Sequence, residues 1–491
     1  MHAATAPLSL HQAWSLGTYR RLDQLQVPAF GPDKAAAMAQ APRVVVQQAL
    51  HALPWQLPRE LLALGEFIAG GASAPAAGLD TATGLAVLLR HLAAPISYQP
   101  LNPYPVHRAV PSPRCAWPCS VLVLQRVQQG VQVWRYAQDH HALADVGLLR
   151  GADALLGTHT LALLGVARFW SLAERYGDFA PFNTLLEAGM AQSQAQLLAR
   201  ALGWAAEPLE HDPAALRAAA PLLQPLEAVG CALRCTPPAG PLVLPQAALP
   251  TAVADHRPAA DLLQRFTQLG ALAAQGAAVG PAVPLEPPAA QAPAVPAQPA
   301  HRQGLLALMR ARRSGNDRPG LAPRLAPLLA DACAQLLALW RGIAAQRHAL
   351  PGEASLQPLL LWLHDRPALL DQHGRVQPVP AGPSLAQRLQ DAMPSPRVRH
   401  TAAAMTCHAL WCVDLADAEA RHEAAALRRL HLAAGAQAQD FSLAATALGL
   451  FARPLRMLRE QRLEADLALP GPIAYQVMCG QDRSTDTRWE L

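Results

Sequence analysis

The stretch from Gly435 to Leu455 repeats, 246 positions later, the stretch from Gly189 to Leu209. Gly189, Leu197, Ala199, Ala201, Leu202, Gly203, Ala206, Pro208 and Leu209 are identical to their partners, nine of 21 positions, and both copies close on Leu-Gly followed by Pro-Leu. Alanine-rich sequence matches itself easily, so the shared phase of Gly and Pro carries more weight than the alanines. In the second copy Leu430, Phe441, Ala445 and Leu448 fall at helical spacing, Gly449 follows the run, and Pro454 stands shortly beyond. That is the pattern of a buried helix with a glycine stop. A duplication at this separation implies a chain built from two like units, and 491 residues are in any case too many for one ordinary core.

Composition narrows the function classes. Hydrophobic residues make up 52% and charged residues 15%, which describes a globular chain rich in Ala/Leu helices. Its basic residues are nearly all arginine, Lys34 being the only lysine, so an arginine where lysine is usual reflects either drift or chemistry. A net charge of +5, spread thinly, offers no basic stripe for nucleic acid. No apolar run reaches about 18 residues, and Met1-His-Ala-Ala-Thr does not begin a targeting segment, so a cytoplasmic protein without a membrane span is expected. Eight cysteines are too few for a disulfide scaffold, and the two C-x3-C pairs, Cys115/Cys119 and Cys231/Cys235, read as packed thiols in preference to a zinc site.

Along the chain, residues 1–84 read as a helical extension broken by prolines, without strands. Residues 85–268 form the first copy, 269–303 an extended Ala/Pro-rich linker, and 304–491 the second copy. Within the first copy, the Pro111-Ser112-Pro113-Arg114 loop feeds an apolar strand at 120–124, and 131–136 alternates as a second strand. Asp139-His140-His141-Ala-Leu-Ala-Asp145 matches H-H-x-x-x-D, the core of an acyl-transfer condensation motif. Val146 replaces the glycine expected after it, and a polar hairpin end leading into a helix is the preferred reading. In the second copy 358–363 and 472–480 read as buried strands, and 401–432 as a helix with a His/Arg-rich face.

Five features occur in a telling order. They are Arg312-Arg313-Ser314, the Pro111-Ser112 loop, Arg175-Tyr176-Gly177, the A-G-x-x-x-Q-x-x-x-L-A-A-x-x-L-G-L helix with its Pro454 turn, and a last strand ending on Gly480. In this order they resemble the nitroreductase-like flavin oxidoreductases, and most closely the streptolysin-associated, azoline oxidase-like dehydrogenase branch, some of whose members carry two copies in tandem. The resemblance spans roughly residues 85–210 and 304–482. It implies an α+β fold of two tandem nitroreductase-like α/β sandwich domains forming a fused pseudo-dimer, with FMN held where the copies meet. Arg312, Arg313 and Ser314 stand at the family's phosphate positions, where an arginine fork, a hydroxyl and backbone amides suit a dianion. Asn316 takes the place of a further cation, and Arg483 and Arg488 are additional candidates. Pro111, Ser112, Arg114 and Pro454 would border the ring.

The implied activity is FMN-dependent oxidation or reduction of a small-molecule or peptide substrate, such as a heterocycle in a natural-product intermediate, with partner biosynthetic enzymes. Arg175 and Tyr176 occupy the positions of the branch's Lys-Tyr pair. Arginine does not deprotonate under these conditions, so Tyr176, its pKa lowered by Arg175, is the candidate base. The first copy lacks an Arg-x-Ser and the second lacks a Pro-Ser loop, which implies one composite flavin site and one decayed site. Pro113 and Arg114, where the family has glycine, together with Arg456 and Met457 after Pro454, favour an alternative: a flavin-free scaffold that binds a peptide or partner enzyme.

Overall fold

The computed structural model describes residues 8–16, 43–71, 78–100, 102, 104–247, 251–256, 258–259, 261–288, 302–315, 323–324, 328, 331–393, 401–456, 458–482 and 488–491. Two 22-residue helices, Ala180–Ala201 and Ala426–Ala447, lie against each other at its centre. Nearly every residue of both is buried, because each helix covers a sheet on one side and its counterpart on the other. Their many alanines and leucines suit such a position, and the polar residues buried with them, such as Ser193, Gln194, Gln439 and Asp440, find partners between the helices.

The first helix packs on an antiparallel sheet of seven strands in the order Leu50–Ala52, Ala142–Leu149, Gly130–Ala137, Cys119–Val127, Leu161–Arg168, Glu227–Thr236, Ala205–Pro208. The second packs on a five-stranded sheet in the order Ala368–Asp371, Leu356–Trp362, Cys407–Val413, Ile473–Gly480, Phe451–Leu455. The last three strands of each sheet start 246 positions apart, as do the two central helices, so the offset read from 21 residues extends from strand through helix to strand. The α+β pseudo-dimer expected from the resemblance is the observed architecture.

The crossing of the two helices shows why glycine recurs. A Cβ on Gly189 would lie 2.0 Å from the carbonyl oxygen of Leu432, and one on Gly435 would lie 2.1 Å from that of Leu186. Those carbonyls are themselves 246 positions apart, so the contact is reciprocal, as a two-fold axis demands. One turn further on, Ser193 Oγ donates to Asp440 Oδ1 at 2.6 Å and Gln439 Nε2 donates to Gln194 Oε1 at 2.8 Å, the same pair of positions viewed from each side. Past the helices, Gly203 and Gly449 adopt φ of +70° and +75° and stop both copies alike.

The symmetry is broken by charge. Asp440 pairs with Arg347 at 2.7 Å, and Arg347 also meets Glu353 at 2.5 Å, with the arginine side chain 1% exposed. Removing one partner from a buried pair leaves an uncompensated charge. Asp440→Ala should therefore lower unfolding free energy by about 3–5 kcal/mol in urea titrations. An Arg347→Met/Glu353→Gln/Asp440→Leu triple variant should recover much of that loss; equal losses in both variants would contradict the assignment.

Four local readings of the sequence are corrected. Residues read as a strandless extension include Arg43–Gln48, paired with Thr251–His256, and Leu50–Ala52, paired with Ala142–Ala144. The segment after His141 is the strand Ala142–Leu149, because it returns along Gly130–Ala137 as a hairpin. Residues 401–432 contain the strand Cys407–Val413, buried throughout between Leu356–Trp362 and Ile473–Gly480. A strand covered on both faces does not alternate, and its alanine context imitated a helix. The expected linker begins as the helix Leu269–Ala277, whose Leu269, Leu272 and Ala273 are buried. Residues 289–301, Asn316, Met457 and Arg483 lie outside the described residues.

Candidate functional site

Arg312 follows the seven-residue helix Leu305–Ala311. Its guanidinium turns inward: Nε donates to the Ala109 carbonyl at 2.7 Å, and the two terminal nitrogens lie 3.4 Å from the Arg108 carbonyl and from Ser314 Oγ. The second copy's phosphate candidates thus anchor the backbone just ahead of the first copy's Pro111-Ser112 loop. Arg313 points elsewhere and pairs with Asp482 at 2.7 Å, while its carbonyl accepts from Ala452 N–H at 2.9 Å. Arg453 Nη1 reaches the Ser314 carbonyl at 3.4 Å, and Pro454 sits in the strand Phe451–Leu455 opposite Val477. Arg312 and Ser314 therefore lie against the backbone that leads into Pro111 and Ser112, at a junction between the copies.

That junction is cationic. Arg312 is 4% exposed, and no carboxylate among the described residues pairs with it. Burial, and then the charge of Arg488, bring its pKa down to about 10, so it stays protonated at neutral pH. His107 is held neutral, down to about 4, by burial and by Arg312 and Arg488. Arg488 donates to the Arg310 carbonyl at 2.5 Å, yet its Nε and the Nε2 of His107 are buried without a hydrogen-bond partner. Buried polar groups are nearly always satisfied, so two orphans beside the Arg312 guanidinium, which has no carboxylate partner among the described residues, fit an anion such as phosphate.

The side of the junction that carries the Pro-Ser loop is crowded. The loop carries Arg114, Cys115 and Trp117 at φ of +49°, +48° and +50°, a conformation costly for residues with a Cβ. Arg175 Nη1 donates to the Arg114 carbonyl at 3.0 Å, and the Arg114 guanidinium lies over the Tyr176 ring at 4.8 Å. The Tyr176 hydroxyl differs from expectation: burial raises its pKa, and Arg114 and Arg175 do not reverse this. The phenol therefore stays protonated at neutral pH. Arg456 lies 5.2 and 5.3 Å from the rings of Phe179 and Phe182 and donates to His431 Nε2 at 3.1 Å.

The second, symmetry-related junction is built differently. Leu64 N–H donates to the Gln303 carbonyl at 2.8 Å and Leu305 N–H to the Leu62 carbonyl at 3.0 Å, a reciprocal pair offset by 241 positions. At that offset Gly71 faces the role of Arg312, so the guanidinium has no counterpart.

Several other sequence candidates fall outside the junction. His141 is buried at the hairpin turn, with Nδ1 2.8 Å from Tyr136 Oη and Nε2 3.2 Å from the Pro54 carbonyl. Cys231 and Cys235 are buried in one strand, their thiols pushed up to about 12 by burial. Among the described residues no cluster of three or more metal-ligating side chains occurs, and no helix is long and apolar enough to cross a membrane. The motifs did not reveal His107, Arg108 or Glu187. Glu187 had a faint signal as the sole charged residue between Ala180 and Ala199.

No protein-family model matches the sequence, and no curated protein matches it either. Among solved structures the chain is similar to one described as a "putative nitroreductase" from Anabaena variabilis. The TM-score is 0.63 at 15% identity, covering 92% of this chain and 97% of that one. A second so described, from Ralstonia eutropha, matches at TM-score 0.30 and 16% identity over 40% of this chain and 99% of that one. The E. coli microcin synthetase McbBCD complex with truncated pro-MccB17 bound matches at TM-score 0.21 and 16% identity over 41% and 87%. Those two scores are too low to carry an argument. The Anabaena likeness extends over nearly the whole of both chains, and the fold of this protein is nitroreductase-like.

Proposed function

We propose that the chain is an FMN-dependent oxidoreductase with one flavin site, formed where the second copy's Arg312-Arg313-Ser314 segment meets the first copy's Pro111-Ser112 loop. The observation that carries this reading is the buried cationic pair Arg312 and Arg488 beside neutral His107, with the unpartnered nitrogens of Arg488 and His107. Arg312, Arg488 and Ser314 would hold the flavin phosphate, and Pro111, Ser112, Arg114 and Pro454 would border the ring. Arg483 belongs to the same proposal through the resemblance alone. Bound FMN would supply hydride transfer, with the protein positioning both reactants.

The residues of the chain have roles that follow from their own chemistry. Arg175 fixes the strained loop through the Arg114 carbonyl, and the protonated Tyr176 can donate a hydrogen bond to a substrate at the ring. The resemblance suggests a heterocycle in a peptide-derived intermediate as substrate, oxygen as final acceptor, and partner biosynthetic enzymes.

Arg312→Ala should abolish FMN retention, read as loss of the flavin absorbance bands in purified protein, while Arg313→Ala, whose partner is Asp482, should weaken binding less than tenfold. Full flavin content in an Arg312→Ala/Ser314→Ala variant would contradict the assignment. A second reading, a flavin-free scaffold that binds a peptide or partner enzyme, is favoured by the cover of Arg114 over Tyr176 and of Arg456 among aromatic rings. It requires an apo spectrum even after FMN addition.

A further inference from the structure

Beneath the Pro111-Ser112 loop lies a cavity of about 20 Å3, walled by Leu92, Val110, Val121, Ala191 and Cys231 and closed by Arg108, Trp117 and Glu187. This is room for about one water molecule and not for a ring system. Its polar residues are incomplete. Glu187 is 4% exposed with Oε2 unpartnered, and Arg108 is 5% exposed with Nε unpartnered, although its Nη2 donates to Gln138 Oε1 at 2.6 Å. Two complementary orphans on one water-sized space are the setting in which an internal water is held.

Ser112 leads outward. Its hydroxyl lies beside the Glu187 carboxyl and favours the charged form, and Ser112 Oγ accepts from Trp117 N–H at 3.0 Å. Ser112 is half-buried, so its hydroxyl connects a sealed carboxyl to the face of the loop. We propose that the cavity holds a water bridging Glu187 Oε2 and Arg108 Nε, and that Glu187 stores the proton exchanged at the Pro-Ser loop, passing it through Ser112. In its acid form Glu187 gives a proton to Ser112 Oγ as Ser112 releases its own hydrogen to a solvent water at the face of the loop, which carries it away as hydronium. The carboxylate left behind faces Arg108, and a solvent proton returning by the same route restores the acid. Glu187 acts through Ser112 and is a positioning residue in this path.

The surroundings support that role. Burial raises the Glu187 pKa to about 7, against the pull of Ser112, Arg108 and Arg168. The groups facing it are Arg108, Arg168 at the end of one strand, Cys115 and Cys119 from the loop and the next strand, and Tyr475 from the second copy's last strand. The cysteines and the tyrosine have pKa values raised by burial, to about 11 for Cys115, so they stay neutral while Glu187 titrates.

The role of Ser112 as the way out rests on the flavin reading, whereas the titration of Glu187 does not, so the test separates the two. Infrared spectra of the full chain between pH 5 and 9 should show one protonated-carboxyl band vanishing with a midpoint near 7. The band should be absent in Glu187→Gln and shift to a higher midpoint in Arg108→Gln. After a pH jump, Ser112→Ala should slow its loss at least tenfold. A band that persists in Glu187→Gln, or none that titrates in this range, would overturn the proposal. An unchanged pH-jump rate in Ser112→Ala would overturn the path through the loop. If Glu187→Gln does not fold, the Arg108→Gln midpoint and the Ser112→Ala rate carry the test. A titrating band in a protein that binds no FMN would uphold the proton store and defeat the cofactor reading.

Discussion

Gly189→Ala and Gly435→Ala should each destabilise the chain by about 3 kcal/mol or more, at the upper end of the overpacking range. The added Cβ atoms would stand 2.0 and 2.1 Å from carbonyl oxygens of the facing helix. Backbone cannot yield as a flexible side chain does, so the two central helices would have to separate and open the packing between the sheets. Denaturant unfolding should show midpoints falling together for the two variants, because the contacts are related by the same pseudo-axis. A Gly147→Ala control, where nothing lies within 4 Å of the new atom, should show only the smaller cost of a strained φ of +133°. Near-neutral effects at Gly189 and Gly435 would contradict the crossing.

Mild acid should unfold the protein. Burial holds His91 and His408 down to about 4 and His431 to about 3, with Arg310 and Arg456 adding to the effect at His91 and His431. In the unfolded chain these groups bind protons near pH 6.5, so between about 6.5 and 4 the unfolded state binds more protons. Stability then falls as pH falls, and at pH 5 each of the three contributes a loss of about 2 kcal/mol. Glu187 has the opposite sign. Its folded pKa of about 7 exceeds the unfolded value, so its contribution falls as pH rises between about 4.5 and 7. Three histidines outweigh one carboxyl, and the melting temperature should drop steeply from pH 8 to pH 5. A flat profile would mean that the histidines are not buried as neutral rings.

The architecture was legible where physics leaves a periodic trace. A helix that crosses its own copy at backbone contact needs glycine at one position in each copy, and the stop after it needs another, so Gly189/Gly435 and Gly203/Gly449 reported the duplication. Cys407–Val413 was illegible because a strand buried on both faces has no alternation, and alanine on every side supplied a false helical pattern. At the candidate site, Arg312 and the Pro-Ser loop were singled out by the order of motifs. The inward turn of Arg312 was not, since it depends on the carbonyls of Arg108 and Ala109, about two hundred positions away in sequence. Tyr176 was misjudged because sequence shows the neighbouring arginine but not the burial that outweighs it. Glu187 was missed for the same reason: a lone carboxylate on a helix gains meaning only once the helix is known to be buried.

The asymmetry between the junctions, with Arg312 at one and Gly71 in its place at the other, sets the expected stoichiometry. Titration of the purified full-length chain with FMN, followed by absorbance after removal of free flavin, tests the central claim directly. One flavin per chain, lost in Arg312→Ala, is the predicted result; no flavin, or two per chain, would contradict it.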